Sequence, residues 1–162
     1  MAGAASYADD GRLSPLSTPS ATRAVLEAHD IGTKYTLGQN FLVNDDVLKR
    51  IIALAEVGER DRILEVGPGI GTLTIALLKH AASVVAVERD PDLPAVLADT
   101  LYPWRERFLL IEKDALNLTA ADIGEPPPSK LVSNLPYAVA ATVVLDYFQQ
   151  FPFLESATTT VQ

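Results

Sequence analysis

The stretch Ile63-Leu64-Glu65-Val66-Gly67-Pro68-Gly69-Ile70-Gly71-Thr72 decides the fold of this 162-residue chain. A short apolar run enters three glycines set at alternate positions. Residues 72–79 then place Leu73, Ala76 and Leu77 at helical spacing. A buried strand that turns on glycine into a helix is the first half of a βαβ unit. The same alternation continues outward. Strands are predicted over residues 63–66, 83–87, 108–111 and 130–133. Helices are predicted over 93–101 and over 138–150, the latter with Val139, Val143, Val144, Tyr147 and Phe148 on its apolar face. Strands alternating with helices imply right-handed crossovers, hence an α/β fold whose parallel sheet carries helices on both faces. Glu125-Pro126-Pro127-Pro128 reads as a surface loop.

Upstream, residues 1–20 are rich in small and turn-forming residues and are expected to be a flexible leader. Residues 21–60 form an N-terminal helical segment. One helix is expected over 21–33, ending near Gly32. A second follows a turn-rich stretch around Phe41-Leu42-Val43. Asp45 or Asp46 would cap it, its face would carry Val47, Ile51, Ile52, Leu54 and Ala55, and it would stop near Gly58. Residues 61–162 form the core. Ala157-Thr158-Thr159-Thr160-Val161-Gln162 reads as the opening of a further strand, so the chain is expected to be a C-terminally truncated piece with the rest of the sheet absent.

Composition narrows the chemistry. With 48% hydrophobic and 21% charged residues, the chain is in the globular range and long enough to bury a core. It has no cysteine, which excludes disulfides, iron–sulfur clusters, thiolate zinc sites and a cysteine nucleophile. His29 and His80 are too far apart in sequence to read as a metal pair, and no metal is expected. His80 is expected to cap a helix C-terminus, His29 to lie on the surface, and Trp104 to serve packing. No apolar run is long enough to span a bilayer, and no secretory signal is evident. The net charge of -8 opposes attraction of the whole chain to nucleic acid. Lys34, Lys49 and Arg50 remain as a candidate local basic edge.

The glycine loop lies where ligands bind in such sheets, outside the carboxyl ends of the strands. Its third glycine comes one position too early for the dinucleotide fingerprint, and Pro68 lacks an N–H for a pyrophosphate. The pattern E-x-G-x-G-x-G resembles instead the S-adenosylmethionine loop of class I (Rossmann-like) methyltransferases. Glu88, at the end of the second strand, suits the two ribose hydroxyls of an adenosyl group. Asp114, after the third strand, suits the adenine edge. Taken singly, a glycine turn is as often a plain βα loop and a strand-end carboxylate a helix cap; three at successive strand ends point to a pocket.

Asn134-Leu135-Pro136-Tyr137 follows the fourth strand. As a bland reading it is a strand-to-helix turn. As chemistry, it meets the needs of an exocyclic adenine amine, whose lone pair is delocalised into the ring. Acceptors from the Asn134 side chain and the Leu135 carbonyl would localise that pair. Tyr137 could stack on the base, and Pro136 would fix the turn. Attack on a sulfonium methyl needs no prior general base, so catalysis would be mainly positioning.

Gly38-Gln39-Asn40-Phe41-Leu42, the EVGPGIG loop, the Glu88 strand, Lys113-Asp114-Ala115-Leu116 and Asn134-Leu135-Pro136-Tyr137 occur in the order and spacing of the ribosomal-RNA adenine N6-dimethyltransferase family, which residues 30–162 resemble. Leu135 in place of a first proline is similar to the RNA enzymes more than to the DNA monomethylating ones. Ala138-Val139-Ala140-Ala141-Thr142 resembles the housekeeping small-subunit branch more than the large-subunit resistance branch. The resemblance implies that Asn40 and Leu42 contact the cofactor and that Gly67, Gly69 and Gly71 hold its methionine end. It further implies that Glu88 binds ribose, that Asp114 binds adenine and that Asn134 bridges cofactor and target amine. It implies a cytoplasmic, monomeric enzyme that dimethylates two adjacent adenosines in a hairpin near the 3′ end of small-subunit (16S) rRNA, acting on immature 30S subunits in ribosome biogenesis. The truncated piece alone would be inactive. Alternatives are a related enzyme acting on large-subunit RNA or DNA, a non-catalytic RNA-binding module and, least favoured, a dinucleotide oxidoreductase.

Overall fold

The computed structural model describes Tyr7, residues 10–35 and residues 40–161. Gly38 and Gln39 of the first motif, most of residues 1–9 and Gln162 lie outside the described residues. Five strands form one sheet: β1 (Arg62–Val66), β2 (Ser83–Glu88), β3 (Phe108–Glu112), β4 (Lys130–Leu135) and β5 (Ser156–Val161). Their spatial order is β3-β2-β1-β4-β5, and every neighbouring pair is parallel. The sequence order reverses between β1 and β4, which makes their carboxyl ends the switch point of the sheet.

The helices are α1 (Pro19–Ala28), α2 (Asp45–Ala55), α3 (Thr72–Leu78), α4 (Leu93–Thr100), α5 (Ala120–Ile123) and α6 (Tyr137–Gln150). Alternation along the strands feeds two cores. Ile63, Val84 and Val132 pack with α1 to α4 on one face; Leu64, Val66, Val85, Leu131 and Leu135 pack with α5 and α6 on the other. Among the described residues, no helix is long and apolar enough to cross a membrane.

The N-terminal segment departs from expectation. Ser14, Leu16 and Ser17 are buried, not part of a flexible leader. The Asp45 carboxylate accepts hydrogen bonds from Leu13 N–H (3.1 Å), Ser14 N–H (3.1 Å) and Ser17 Oγ (3.0 Å). Asp45 therefore holds this segment instead of capping α2. The cap is Asn44, whose extended backbone lets Oδ1 accept from Asp46 N–H at 2.9 Å. Further back, the Tyr7 hydroxyl donates to Thr100 O at 2.8 Å, and its ring stacks on Trp104.

The buried stripe of α2 is Leu48, Ile51, Ile52 and Ala55, the i, i+3, i+4, i+7 set. Leu54 falls outside that arc and is 77% exposed. On α6, Ala140, Val143 and Tyr147 are buried, whereas Val139 and Phe148 of the predicted face are exposed. A 3₁₀ segment at Tyr102–Arg107 and the short α5 were not anticipated, being too short to show a period. The predicted last strand is formed, pairing with β4 from Ser156 to Val161.

Candidate active site

Gly67, Gly69 and Gly71 carry β1 into α3, with φ of +66°, +61° and +97°. A side chain would be strained at each of these φ values, and it would also meet a neighbour. A Cβ on Gly69 would lie 3.4 Å from Phe41 Cε1, and one on Gly71 would lie 3.0 Å from Leu101 Cδ2 and 3.1 Å from Thr100 Oγ1. The loop is pinned by Gly67 N–H donating to Val87 O (2.9 Å) and by Thr100 Oγ1 donating to Ile70 O (2.7 Å).

The switch point opens because β1 and β4 stop pairing early. Their register covers Ile63↔Lys130 and Leu64↔Leu131. Beyond it, Val66 N–H donates to the side chain of Ser133, buried at 2.8 Å, instead of to a backbone carbonyl. Two adjoining cavities occupy the space and share Gly67. The smaller is lined by Asn40, Phe41, Leu42, Glu65, Gly69, Thr72 and Asn134 among others. The larger, of about 410 Å³, runs between Glu88, Asp114, Leu116, Leu135, Pro136 and Val139, with Arg89 and Lys113 on its rim. That volume is within the range of small-molecule sites, about 300–1,000 Å³.

Each expected site residue can now be placed. Asn40, Leu42, Gly67, Gly69 and Asn134 come together at the smaller cavity, and Glu88, Asp114, Leu135 and Pro136 at the larger one. Gly71 lines neither; it is the last turn residue before α3. Tyr137 lines neither and is 70% exposed at the start of α6, beside Pro136. Glu88 Oε1 accepts from Gly69 N–H (3.4 Å), and Oε2 accepts from Asp90 N–H (3.1 Å). Burial pushes the Glu88 carboxyl above its usual range, opposed by the N–H groups of Asp90, Gly69 and Arg89. Asp114 is half exposed; it caps the following turn through Leu116 N–H (3.0 Å) and lies 3.8 Å from Arg89.

Asn134 Oδ1 accepts from Thr160 Oγ1, its register partner on β5. Glu65 lies at the end of β1, 1% exposed, and accepts from Thr74 Oγ1 at 2.6 Å. The Thr72 hydroxyl is buried at the smaller cavity without a hydrogen-bond partner among the described residues. The sequence offered Glu65 only as the first residue of the E-x-G-x-G-x-G pattern, with no role of its own, and did not single out Thr72 or Thr160 as site residues. Thr160 could be found only once the β4–β5 register is known.

Of the predicted basic edge, Lys34 and Lys49 face carboxylates, whereas Arg50 is exposed. Lys34 pairs with Asp90 (2.8 Å) and Asp92 (2.7 Å), and Lys49 lies near Asp45 and Asp46. His29 is not a free surface group: its Nε2 lies 3.0 Å from Asp99. His80 Nδ1 lies 3.1 Å from Ala76 O at the end of α3, as a capping histidine should.

Comparison with known proteins bears on this geometry. The family model for Ribosomal RNA adenine dimethylase matches residues 32–162. Ribosomal RNA small subunit methyltransferase A of Paenarthrobacter aurescens (strain TC1) is 42% identical over 154 residues, covering 93% of this chain and 52% of the relative. The protein of the same name from Thermobifida fusca (strain YX) is 40% identical over 151 residues, covering 91% and 52%. Among solved structures, the 23S rRNA methyltransferase ErmE superposes with a TM-score of 0.64 at 30% identity, covering 76% of this chain and 48% of that one. The chain thus spans about half the length of the curated relatives it matches. On the extent of these matches, the chain belongs to the ribosomal RNA adenine dimethylase family.

Proposed function

We propose that this chain is the cofactor-binding and catalytic part of an S-adenosylmethionine-dependent enzyme that dimethylates the N6 amines of two adjacent adenosines in small-subunit rRNA. The observation that carries the reading is the meeting of the glycine loop, Glu88 and Asn134 where β1 and β4 part. The residues present fit the cofactor. The larger cavity offers a ribose-binding carboxylate in Glu88 and apolar walls for an adenine in Val87, Leu116 and Leu135. The smaller offers the bare Gly69, the unpartnered Thr72 hydroxyl and the buried Glu65, donors and acceptors suited to an amino-acid end. Bound there, the cofactor supplies an electrophilic methyl group.

The chain's own work is positioning. Thr160 fixes the Asn134 amide, and a second lone pair on Oδ1 is left to accept from a target N–H. The Leu135 carbonyl adds an acceptor, and Pro136 fixes the turn that leaves Tyr137 exposed for stacking on a base. Asp114 and the Arg89 and Lys113 rim would face the adenine end of the cofactor. The target adenosine must leave its stack to reach these groups. The relatives named for the small subunit are 40–42% identical to this chain, against 30% for the 23S enzyme, which favours small-subunit RNA in immature 30S particles. A monomeric, cytoplasmic, metal-independent enzyme completes the proposal.

The test is a titration of the chain with S-adenosylmethionine and, separately, with NAD. Heat with the first alone is expected; heat with NAD alone overturns the cofactor assignment. In the longer protein, Asn134→Ala should leave cofactor affinity nearly intact and depress formation of dimethyladenosine in immature small subunits. Undiminished turnover would remove Asn134 from the chemistry.

A further inference from the structure

Asp90 lies in the turn between β2 and α4, outside the residues assigned to the cofactor above. Its N–H and Oδ2 nevertheless reach groups that adjoin the site, while its carbonyl accepts from Leu93 N–H at the start of α4. The Asp90 N–H donates to Glu88 Oε2 at 3.1 Å. Oδ1 accepts from Lys34 Nζ (2.8 Å) and Asp92 N–H (3.0 Å), and Oδ2 accepts a short hydrogen bond from the Tyr35 hydroxyl. The Tyr35 ring meets Phe41 edge-on, with centroids 5.3 Å apart. Phe41 is 6% exposed and lies against Gly69 at the distance where a Cβ would touch it. Gly69 N–H returns to Glu88 Oε1. Glu88, Gly69, Phe41, Tyr35 and Asp90 thus form a closed circuit of contacts around one side of the pocket.

We propose that Asp90 is a positioning residue for the cofactor: its carboxylate holds Tyr35, whose ring seats Phe41 over the glycine loop, while its N–H orients the Glu88 carboxylate. The inference rests on the cofactor reading above and assigns what keeps that pocket in shape. Two alternatives make different predictions. If Asp90 served only to neutralise Lys34, its charge would matter and its geometry would not. If it served only the turn, Tyr35 would be dispensable.

The test uses Asp90→Ala, Asp90→Asn, Tyr35→Phe and the Asp90→Ala/Tyr35→Phe double variant. S-adenosylmethionine affinity is read by calorimetry, and amide hydrogen exchange at residues 41–43 is read without ligand. Asp90→Ala and Tyr35→Phe should each weaken binding about tenfold, the scale of a hydrogen bond to a charged group. The double variant should be no weaker than Asp90→Ala, since both remove one interaction. Asp90→Asn keeps an acceptor for the Tyr35 hydroxyl and should recover most of the affinity. Exchange at 41–43 should quicken in Asp90→Ala and Tyr35→Phe but not in Asp90→Asn. Wild-type binding with all variants within about twofold of it, additive losses, or Asp90→Asn as damaging as Asp90→Ala would each overturn the proposal. A wild type that binds no S-adenosylmethionine would instead remove the cofactor reading and this inference with it. Should Asp90→Ala not fold, Tyr35→Phe and Asp90→Asn decide the matter.

Discussion

Glu65 is the group whose titration the fold should feel most. It is 1% exposed. Burial pushes its carboxyl from 4.5 up to about 8, opposed by the Thr74 hydroxyl and helped by the nearby charge of Glu88. An acid raised in this way binds more protons folded than unfolded between those two values. Its contribution to stability is therefore complete below pH 4.5 and is lost as the pH climbs through about 8. At about 1.4 kcal/mol per pH unit, the loss amounts to about 3 kcal/mol at pH 7 and about 5 kcal/mol above pH 8. Glu65→Gln keeps an oxygen acceptor for Thr74 and removes the ionisable proton. The variant should be more stable than the parent at neutral pH by about 3 kcal/mol, and the difference should vanish at about pH 4. Urea unfolding of both proteins across that range measures it, titrating groups remote from Glu65 cancelling in the comparison. A difference that does not change with pH, or a variant less stable than the parent above pH 8, would refute the buried-acid argument.

Gly71→Ala should cost about 2–4 kcal/mol of unfolding free energy. An L-residue at its positive φ is strained, and the added Cβ crowds Leu101 Cδ2 and Thr100 Oγ1, the donor to Ile70 O; denaturant midpoints will show it, and a loss below about 1 kcal/mol would contradict the packing described. Thr160→Val removes the donor to Asn134 at nearly constant volume. In the longer protein it should slow methyl transfer about tenfold and leave cofactor affinity within about twofold, with Thr160→Ser restoring the rate; equal rates in all three would leave Thr160 no part in placing the amide. Asp45→Ala strands the N–H groups of Leu13 and Ser14, leaves Ser17 Oγ only Ser14 O, and should cost about 2–3 kcal/mol. Burial raises the Asp45 carboxyl, but those donors and Lys49 hold it below its usual value overall, so the wild-type advantage should fade as pH drops below 3.8. Unfolding measured at neutral and acid pH tests both statements.

The central strands β1, β2 and β4 were legible as short apolar runs bounded by turn residues, the look of strands buried on both faces, whereas the edge strands β3 and β5 are only partly buried. Helix existence was equally clear, but the faces were not. Leu54 reads as apolar and sits at 77% exposure, because the stripe is set by Leu48, Ile51, Ile52 and Ala55 against α3 and the sheet. The leader was misread for a chemical reason. Ser14 and Ser17 look like solvent-facing polar residues, yet Ser14 N–H bonds Asp45 and Ser17 Oγ bonds Ser14 O and Asp45, which permits burial. In the site, residues that act through loop geometry were visible as motif spacing. The distant partners of site residues were not visible. Glu65 needs Thr74, Asn134 needs Thr160, and Tyr35 needs Asp90, pairs separated by 9, 26 and 55 positions.

Those partnerships share a location that follows from the sheet itself. With strand order β3-β2-β1-β4-β5, the chain leaves β1 toward β2 and leaves β4 toward β5, so the two connections turn away from each other and uncover the strand ends between them. An open strand end exposes backbone donors, and a buried one must be satisfied. Ser133 resolves the conflict by giving Val66 N–H a side-chain acceptor where a β4 carbonyl would otherwise be required. That single exchange lets β4 part from β1 while staying paired with β5 through Leu135. Asn134 can then reach Thr160 on one side and the cavity shared with Gly67 and Gly69 on the other. The position of the proposed site is thus a consequence of where two parallel strands stop bonding, and the glycines matter because they are what the parted strands leave uncovered.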